Sequence, residues 1–391
     1  MFIVGIDIAK RSHEAVMIDP NGNTVGKPLR FANSRAGYLR LMEYLRSHAG
    51  QDPQIEFGME ATGHYWLPLY THLRRDGFTV NVINAIQSDA LREMFIRKTK
   101  NDSRDAFIIA EVIRIGRHCQ TQVSSGDVMA LRELCRQRFY VVDMISDLKR
   151  KVIALLDQIF PEYENLFTDT FGASSMELLA EHTSPDEILA LNTDELAAIL
   201  SKASRGRLGY DKAEQIQNAA RNSFGILLAH DSFSLIIRQH IEQIKSAERS
   251  VDAFDAEIRR LLPSFNTQLT TVTGIGPTLA AVILSEIGDI RRFESPAKLA
   301  AFAGIDPTVR QSGDFTGSRA RMSKRGSPYL RRAVWMASLV AAVHDPAIHA
   351  LYQRKRSEGK NHMTTMGHIC RKMISIIFAV MRDNKPYSPA I

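Results

Sequence analysis

Apolar residues in the N-terminal third come in short runs separated by turn residues, the pattern of strands mixed with amphipathic helices. Phe2–Ile8, Glu14–Asp19 and Thr24–Phe31 read as strands, and Asp19-Pro20-Asn21-Gly22-Asn23 turns the chain between the second and third. Ser34–His48 carries Leu39, Leu41, Met42 and Leu45 in a helical pattern. Gln54–Met59 reads as a strand and Tyr65–Arg75 as a helix. Phe78–Ile83 is a further strand, whose exit leads to Gln87–Lys98. Three hairpin-joined strands followed by alternating helices and strands is the order of a ribonuclease-H-like α/β domain. In that arrangement the first and fourth strands lie side by side.

The middle of the chain changes period. Val141, Ile145, Leu148, Val152, Leu155 and Ile159 step by alternating fours and threes, a heptad seam. Ile237, Ile241, Ile244, Val251, Phe254, Ile258 and Leu261 form a second seam. Two long antiparallel helices are expected, ended by Pro161 and Pro263, as an oligomerisation or spacer element. Residues 165–234 between them read as a helical insert, with Ser204–Lys212 a basic loop. Beyond Thr273-Gly274-Ile275-Gly276-Pro277, the segments Pro328–Val343 and Gly367–Met381 are apolar enough to be packed helices, and Ser388–Ile391 reads as a frayed tail. The fold class read is α/β plus α: residues 1–118 a ribonuclease-H-like domain, 119–265 coiled-coil helices with the insert, and 266–391 a helical domain with a helix-hairpin-helix.

Composition adds a direction. The 391-residue chain carries a net charge of +7, and ten Lys/Arg against three acidic residues between Ile290 and Arg332 concentrate an equal excess in one stretch. A polyanionic partner is expected there. Cys119, Cys135 and Cys370 lack metal-ligand spacing and read as reduced thiols. Neither a signal peptide nor a membrane-spanning run is read, so the expectation is a soluble intracellular protein.

The candidate chemistry lies in four carboxylates. Asp7 ends the first apolar run, and Glu60 follows Ile55-Glu56-Phe57-Gly58-Met59. Asp102 and Asp105 head the run Ala106–Ile113, where a spacing of three places them on one helical face. Such a cluster repels itself unless a hard cation binds, and Mg²⁺ or Mn²⁺ with oxygen ligands is the expected cofactor. In-line displacement at phosphorus is the chemistry that needs it. Gly274 and Gly276 before a helix suit close backbone approach to a DNA phosphate. A plain turn with glycine caps is the alternative.

These residues also carry a resemblance. Gly5-Ile6-Asp7-Ile8-Ala9-Lys10, Glu60-Ala61-Thr62-Gly63 and Asp102-Ser103-Arg104-Asp105-Ala106 resemble the N-terminal domain of the DEDD transposases of insertion sequences, the IS110 family. Thr273-Gly274-Ile275-Gly276-Pro277, Phe302-Ala303-Gly304-Ile305-Asp306-Pro307, Gln311-Ser312-Gly313 and Arg321-Met322-Ser323-Lys324-Arg325-Gly326 resemble their C-terminal domain. The order and spacing of both halves make the resemblance specific, and Piv-type DNA invertases share it. It implies a Holliday-junction-resolvase-like N-terminal domain, a coiled coil, and a C-terminal transposase domain supplying a serine. The metal tetrad carries over to Asp7, Glu60, Asp102 and Asp105, and the nucleophile to Ser312. A structured guide RNA pairing with element ends and target DNA, and a homo-oligomer (dimer or tetramer) whose site combines domains of two subunits, are further implications. The segment from Asp105 to Gly274 looks longer than in compact members.

Each residue also has a bland role. Asp102 suits an N-cap and Asp105 the first-turn dipole. Gln-Ser-Gly at Ser312 is ordinary turn chemistry, with Ser323 and then Ser318 as rival nucleophiles. Arg319, Arg321, Lys324 and Arg325 are expected DNA contacts, while a solvated charged face is equally ordinary. His64 suits a proton donor to a leaving oxygen, but a lone His is more often structural. Tyr65 and Trp66 fit core or base stacking. Lys10 fits a phosphate contact, and Arg97, Lys98, Lys100 and Arg104 form a second basic cluster. Asn101 and Ser103 read as bystanders. Three other classes compete: a water-using metal nuclease or junction resolvase, an actin- or sugar-kinase-like ATPase, and a non-catalytic nucleic-acid-binding protein. The ATPase would need a second Gly-rich phosphate loop and a strand repeat, which residues 120–270 lack.

Overall fold

The computed structural model describes residues 1–49, 54–61, 63–83, 102–116, 126–307 and 322–389, and the backbone alone at 311–312 and 315–316. Gln87–Lys98, Lys100, Asn101, Cys119, Ser318, Arg319 and Arg321 lie outside the described residues. The chain divides into two compact units, Met1–Val123 and Ser124–Ile391.

The first unit is a mixed α/β structure. Its strands are β1 (Phe2–Asp7), β2 (Ser12–Ile18), β3 (Thr24–Ala32), β4 (Ile55–Glu60) and β5 (Thr79–Ile83). They form one sheet in the order β3-β2-β1-β4-β5. The β1–β2 and β2–β3 pairs are antiparallel, as short hairpin connections require. The β1–β4 and β4–β5 pairs are parallel, reached through α1 (Arg35–Ala49) and α2 (Leu67–Arg75). The expected neighbourhood of first and fourth strands is therefore present, with Ile6 registered against Met59.

The central strands are covered on both faces. Val4, Ile6, Ala15, Met17, Phe57 and Met59 pack with Leu41 and Leu45 of α1 and Leu69 and Leu73 of α2. On the other face Ile3, Val16 and Ile18 pack against Ala106, Ile109 and Ala110 of α3 (Asp102–Arg114). Glycine makes this second contact close. A Cβ on Gly5 would lie 2.0 Å from the Ala106 carbonyl oxygen, and one on Gly58 would lie 2.7 Å from Ile113 Cγ1.

The second unit is helical around two long helices, α4 (Gly126–Ile159) and, after the insert, α9 (His230–Leu261). They run antiparallel: Arg138 bonds Asp255 at 2.7 Å, Lys149 pairs with Glu248 at 3.4 Å, and Ile226 N–H donates to the Gln158 carbonyl at 2.8 Å. Both end ahead of the two prolines named from sequence. The buried seam of α4 passes through Val141, Ile145, Leu148, Val152, Leu156 and Ile159, so Leu156 takes the place expected for Leu155, which is only partly covered.

The insert contributes α5 (Ala173–Glu181), α6 (Pro185–Leu189), α7 (Thr193–Ser204) and α8 (Tyr210–Arg221). Ser184 with Glu187, and Asn192 with Glu195, close reciprocal capping boxes that set the starts of α6 and α7. Leu178, Ile188, Leu196 and Ile216 share one buried core with residues of the long helices.

The remaining helices are α10 (Pro277–Ile287), α11 (Pro296–Ala303), α12 (Pro328–His344), α13 (Pro346–Ser357) and α14 (His362–Asp383). They share one core with Leu131, Cys135 and Phe139 of α4 and Ile258 of α9. A polar clamp reinforces the joint. Buried Glu286 accepts two bonds from Arg136, at 2.7 and 3.1 Å, and one from Ser327 Oγ at 2.8 Å. Cys135 and Cys370 are buried free thiols, their pKa values pushed up by burial to about 12 and about 11. Among the described residues no single helix is long and apolar enough to cross a membrane.

Candidate active site

Strand geometry fixes the first two carboxylates. β1 and β4 are parallel neighbours, so Asp7 and Glu60 both stand at the carboxyl-terminal ends of adjacent strands. The third and fourth come from α3. Because Gly5 meets Ala106 and Ala110 while Gly58 meets Ile109 and Ile113, the helix lies flush across β1 and β4. Its first turn, one turn before Ala106, then falls at the strand ends. Asp102 and Asp105 occupy that turn.

The electrostatics record the convergence. The Asp7 carboxyl is pushed up from 3.8 to about 6, first by burial and then by the charges of Asp105, Asp102 and Glu60. A hydrogen bond from the Ile8 backbone opposes the rise. Like charges held together raise a carboxyl in this way, and a hard cation relieves them. The donor set and its repulsion fit a divalent ion. As the side chains stand, no three His, Cys, Asp or Glu among the described residues are arranged to hold one ion.

A fifth carboxylate escaped the sequence reading. Glu14 sits directly opposite Asp7 in the β1–β2 register, and Ser103 Oγ donates to Glu14 Oε1. Ser103 is thus no bystander: it ties the first turn of α3 to β2. A hairpin centred between Lys10 and Arg11 would have predicted the Asp7–Glu14 pairing. Trp66 is buried and packs into the sheet core, donating Nε1–H to the Gly63 carbonyl at 3.1 Å. Tyr65 is half-buried there, whereas His64 and Lys10 are exposed.

In the second unit, Ser312 ends the two-residue strand β6 (Gln311–Ser312), paired with β7 (Phe315–Thr316) so that Ser312 faces Phe315 in register. The base of this arm is well tied. Ser323 N–H donates to the Asp306 carbonyl at 2.8 Å, and Ser323 Oγ donates to Asp306 Oδ1. The rival hydroxyl is engaged with Asp306. A Cβ on Gly326 would lie 1.8 Å from the Phe302 carbonyl oxygen, so the two motif segments 302–307 and 322–326 form one joint. Lys324 and Arg325 are exposed on it, and Lys324 holds the left-handed backbone region at φ 55°.

The two glycines before α10 divide their tasks. Gly274, at φ 88°, is pressed against α12, where a Cβ would lie 2.5 Å from the Ala337 carbonyl oxygen. Gly276 caps α10 with open space in front of it. No helix ends directly at this turn; a short 3-10 turn, Leu269–Thr271, precedes it.

Comparison with known proteins agrees with both halves. Residues 4–161 match a family model described as a transposase, and residues 266–353 match the transposase IS116/IS110/IS902 family. The chain is 24% identical over 391 residues to an insertion element IS110 protein of Streptomyces coelicolor, covering 98% of this chain and 95% of that one. It is 26% identical over 387 residues to a mini-circle putative transposase for IS117 from the same organism, covering 95% and 91%. A pilin gene-inverting protein of Moraxella lacunata is 22% identical over 396 residues, covering 99% and 98%. With matches to both of its domains in order along the chain, this protein belongs to the IS110 family of transposases.

Proposed function

We propose that the chain cuts and rejoins DNA during movement of an insertion element, with a divalent cation held by Asp7, Glu60, Asp102 and Asp105 and with Ser312 as nucleophile. The observation that carries the reading is geometric: Asp7 and Glu60 end two paired parallel strands, and Asp102 and Asp105 stand in the first turn of the helix laid across them, close enough that, beyond burial, their charges push the Asp7 carboxyl up. Strand order β3-β2-β1-β4-β5 supports the ribonuclease-H-like description of this unit. When bound, Mg²⁺ or Mn²⁺ would polarise a phosphate oxygen and stabilise developing charge.

The chain's own residues supply the rest. Asp7 and Glu60 hold fixed positions on paired strands, and the Ser103–Glu14 bond holds the first turn of α3 beside them. The Ser312 oxygen attacks phosphorus and gives up its proton. The bond from phosphorus to the leaving deoxyribose oxygen breaks, and that oxygen takes a proton. One phosphodiester is exchanged for another, so a hydroxyl of the partner strand reverses the step without external energy. Gly276, Lys324 and Arg325, together with Arg319 and Arg321, are the proposed contacts to phosphates, and Gly274 supports the same turn. A structured guide RNA and a homo-oligomer that holds two duplexes complete the reading, in the bacterial cytoplasm at the nucleoid.

The inverting proteins of Moraxella align along nearly the full chain, which supports site-specific inversion as a second reading with the same chemistry. The test is a plasmid carrying the element and its flanks, incubated with protein, any guide RNA encoded by the element, and Mg²⁺. Cleavage and rejoining are expected, with loss on chelation and in Glu60→Ala while DNA binding persists. Full rejoining by Glu60→Ala would remove the tetrad from the mechanism.

A further inference from the structure

The insert carries a cavity of about 430 Å³ between the start of α5 and the loop from α7 to α8, lined by Phe167, Asp169, Ser174, Arg207, Leu208 and Lys212 among others. Gly172 caps the nine-residue α5 and offers no side chain to its amides. The first α5 amide with a backbone partner is that of Met176, which donates to the Gly172 carbonyl at 2.9 Å. The amides of Ala173, Ser174 and Ser175 stand open before it. Ser174, second in the helix, is 9% exposed. Helical Cα–Cβ bonds tilt toward the amino end, so its side chain shares the direction of those amides. Its hydroxyl has no hydrogen-bond partner among the described residues. Unlike the sealed hydroxyls of Ser234, Ser338 and Thr365, it is not closed off, and Ser174 lines the cavity. An almost buried hydroxyl left open beside three free amides calls for an acceptor.

Two cations complete the wall. Arg207 Nε donates to the Ser204 carbonyl at 3.2 Å, which anchors the guanidinium and leaves its terminal nitrogens unused. Lys212 Nζ lies 5.3 Å from the centre of the Phe167 ring and donates to Gln215 Oε1 at 2.9 Å. Burial pushes the Lys212 ammonium pKa down, an effect that an anion beside it would offset. Asp169 is the opposing charge, and it is engaged in its own turn, where Oδ1 accepts Phe171 N–H at 2.9 Å. Open donors at a helix amino end, flanked by two cations, suit a phosphate. The positive charge also continues outside the cavity. Over Ser201–Lys212, Lys202, Arg205, Arg207 and Lys212 are opposed by Asp211 alone, and the first three are exposed. A single small anion has no use for that extension, whereas a phosphodiester strand does.

We propose that this cavity is a backbone-phosphate subsite, in which one phosphate of a nucleic-acid strand accepts from Ser174 Oγ and the α5 amides between Arg207 and Lys212. It gives the insert the task of gripping a strand. The class of partner rests on the DNA-handling reading above, while the subsite itself depends on neither the carboxylates nor Ser312.

The test measures binding of the full chain to labelled duplex DNA, single-stranded DNA and RNA oligonucleotides by anisotropy, over a series of salt concentrations. Ser174→Ala favours the helix and alters no charge. It should weaken binding about ten-fold, the order of one hydrogen bond to a charged group. Arg207→Ala, at an exposed position where folding is not at issue, should weaken it and lower the log–log salt slope by roughly 0.9 on a duplex or 0.7 on a single strand. Asp169→Asn keeps the acceptor of its turn, removes the opposing charge and should tighten binding. The strand whose affinity moves in all three variants is the occupant, DNA or RNA. A solvated basic face predicts a different pattern, in which Arg207→Ala weakens binding and Ser174→Ala binds every strand as the wild type does. That result overturns the subsite and leaves the DNA-handling reading standing. Failure of the wild type to bind any DNA overturns that reading, and RNA binding still weakened by Ser174→Ala would keep the subsite.

Discussion

The Cβ that Gly5 lacks would lie 2.0 Å from the carbonyl oxygen of Ala106. That one approach sets the distance of α3 from β1, and with it the convergence of Asp102 and Asp105 on Asp7. Gly5→Ala should push α3 outward and cost about 1–3 kcal/mol, the usual range for overpacking. Activity should fall further than stability alone explains, because the carboxylates no longer converge. Thermal unfolding and strand cleavage, measured on the same preparation, check both parts.

Removing charge from the cluster should have the opposite effect on stability. Asp7 has its folded pKa raised from 3.8 to about 6, so the folded state binds this proton more tightly than the unfolded chain does. The Asp7 contribution is therefore greatest below about pH 4 and is lost as pH rises towards 6. Asp7 is partly solvated, so screening reduces the effect. Asp7→Asn should flatten this pH dependence and stabilise the metal-free protein at neutral pH by about 1 kcal/mol, while abolishing cleavage. A divalent cation should stabilise the wild type at neutral pH and the variant much less. Melting temperatures across this pH range, with and without Mg²⁺, provide the check.

At the base of the long helices, Arg136→Ala would leave Glu286, 5% exposed, with Ser327 Oγ as its remaining side-chain donor in the clamp. Breaking one side of a buried ion pair costs about 3 kcal/mol or more. Arg136→Ala should therefore unfold at markedly lower denaturant, and Arg136→Ala with Glu286→Leu should recover part of the loss. A double-mutant cycle in urea measures it.

Neutralising Arg319, Arg321, Lys324 and Arg325 together should weaken DNA binding and flatten its salt dependence. For each phosphate that a basic side chain no longer neutralises, the log–log salt slope on duplex DNA falls by roughly 0.9. Binding isotherms at several salt concentrations test this, and an unchanged slope would make the segment a solvated face.

Much of this arrangement was legible in the sequence for physical reasons. The hairpin turns and apolar runs determine strand order, because short connections force antiparallel pairs and helical crossovers force parallel ones. Asp7 and Glu60 therefore became neighbours without further information. The heptad seam found the long helices but misplaced Leu155, since two adjacent leucines satisfy the period equally well. Glu14 was missed because cross-strand register depends on the centre of a hairpin rather than on any motif. The close seating of Gly274 on α12 likewise depends on a helix distant in sequence.

The central claim is that a serine, rather than water, attacks the DNA. Protein incubated with its DNA substrate, any required guide RNA and Mg²⁺ should yield, on a denaturing gel, a strand covalently attached to protein. Ser312→Ala has no oxygen to attack phosphorus and should lose the adduct and recombination together. Ser323→Ala, whose hydroxyl is engaged with Asp306, should keep the adduct at reduced yield. An adduct that survives Ser312→Ala would place the nucleophile elsewhere, and Mg²⁺-dependent cleavage by the wild type with no adduct at any time would contradict the account.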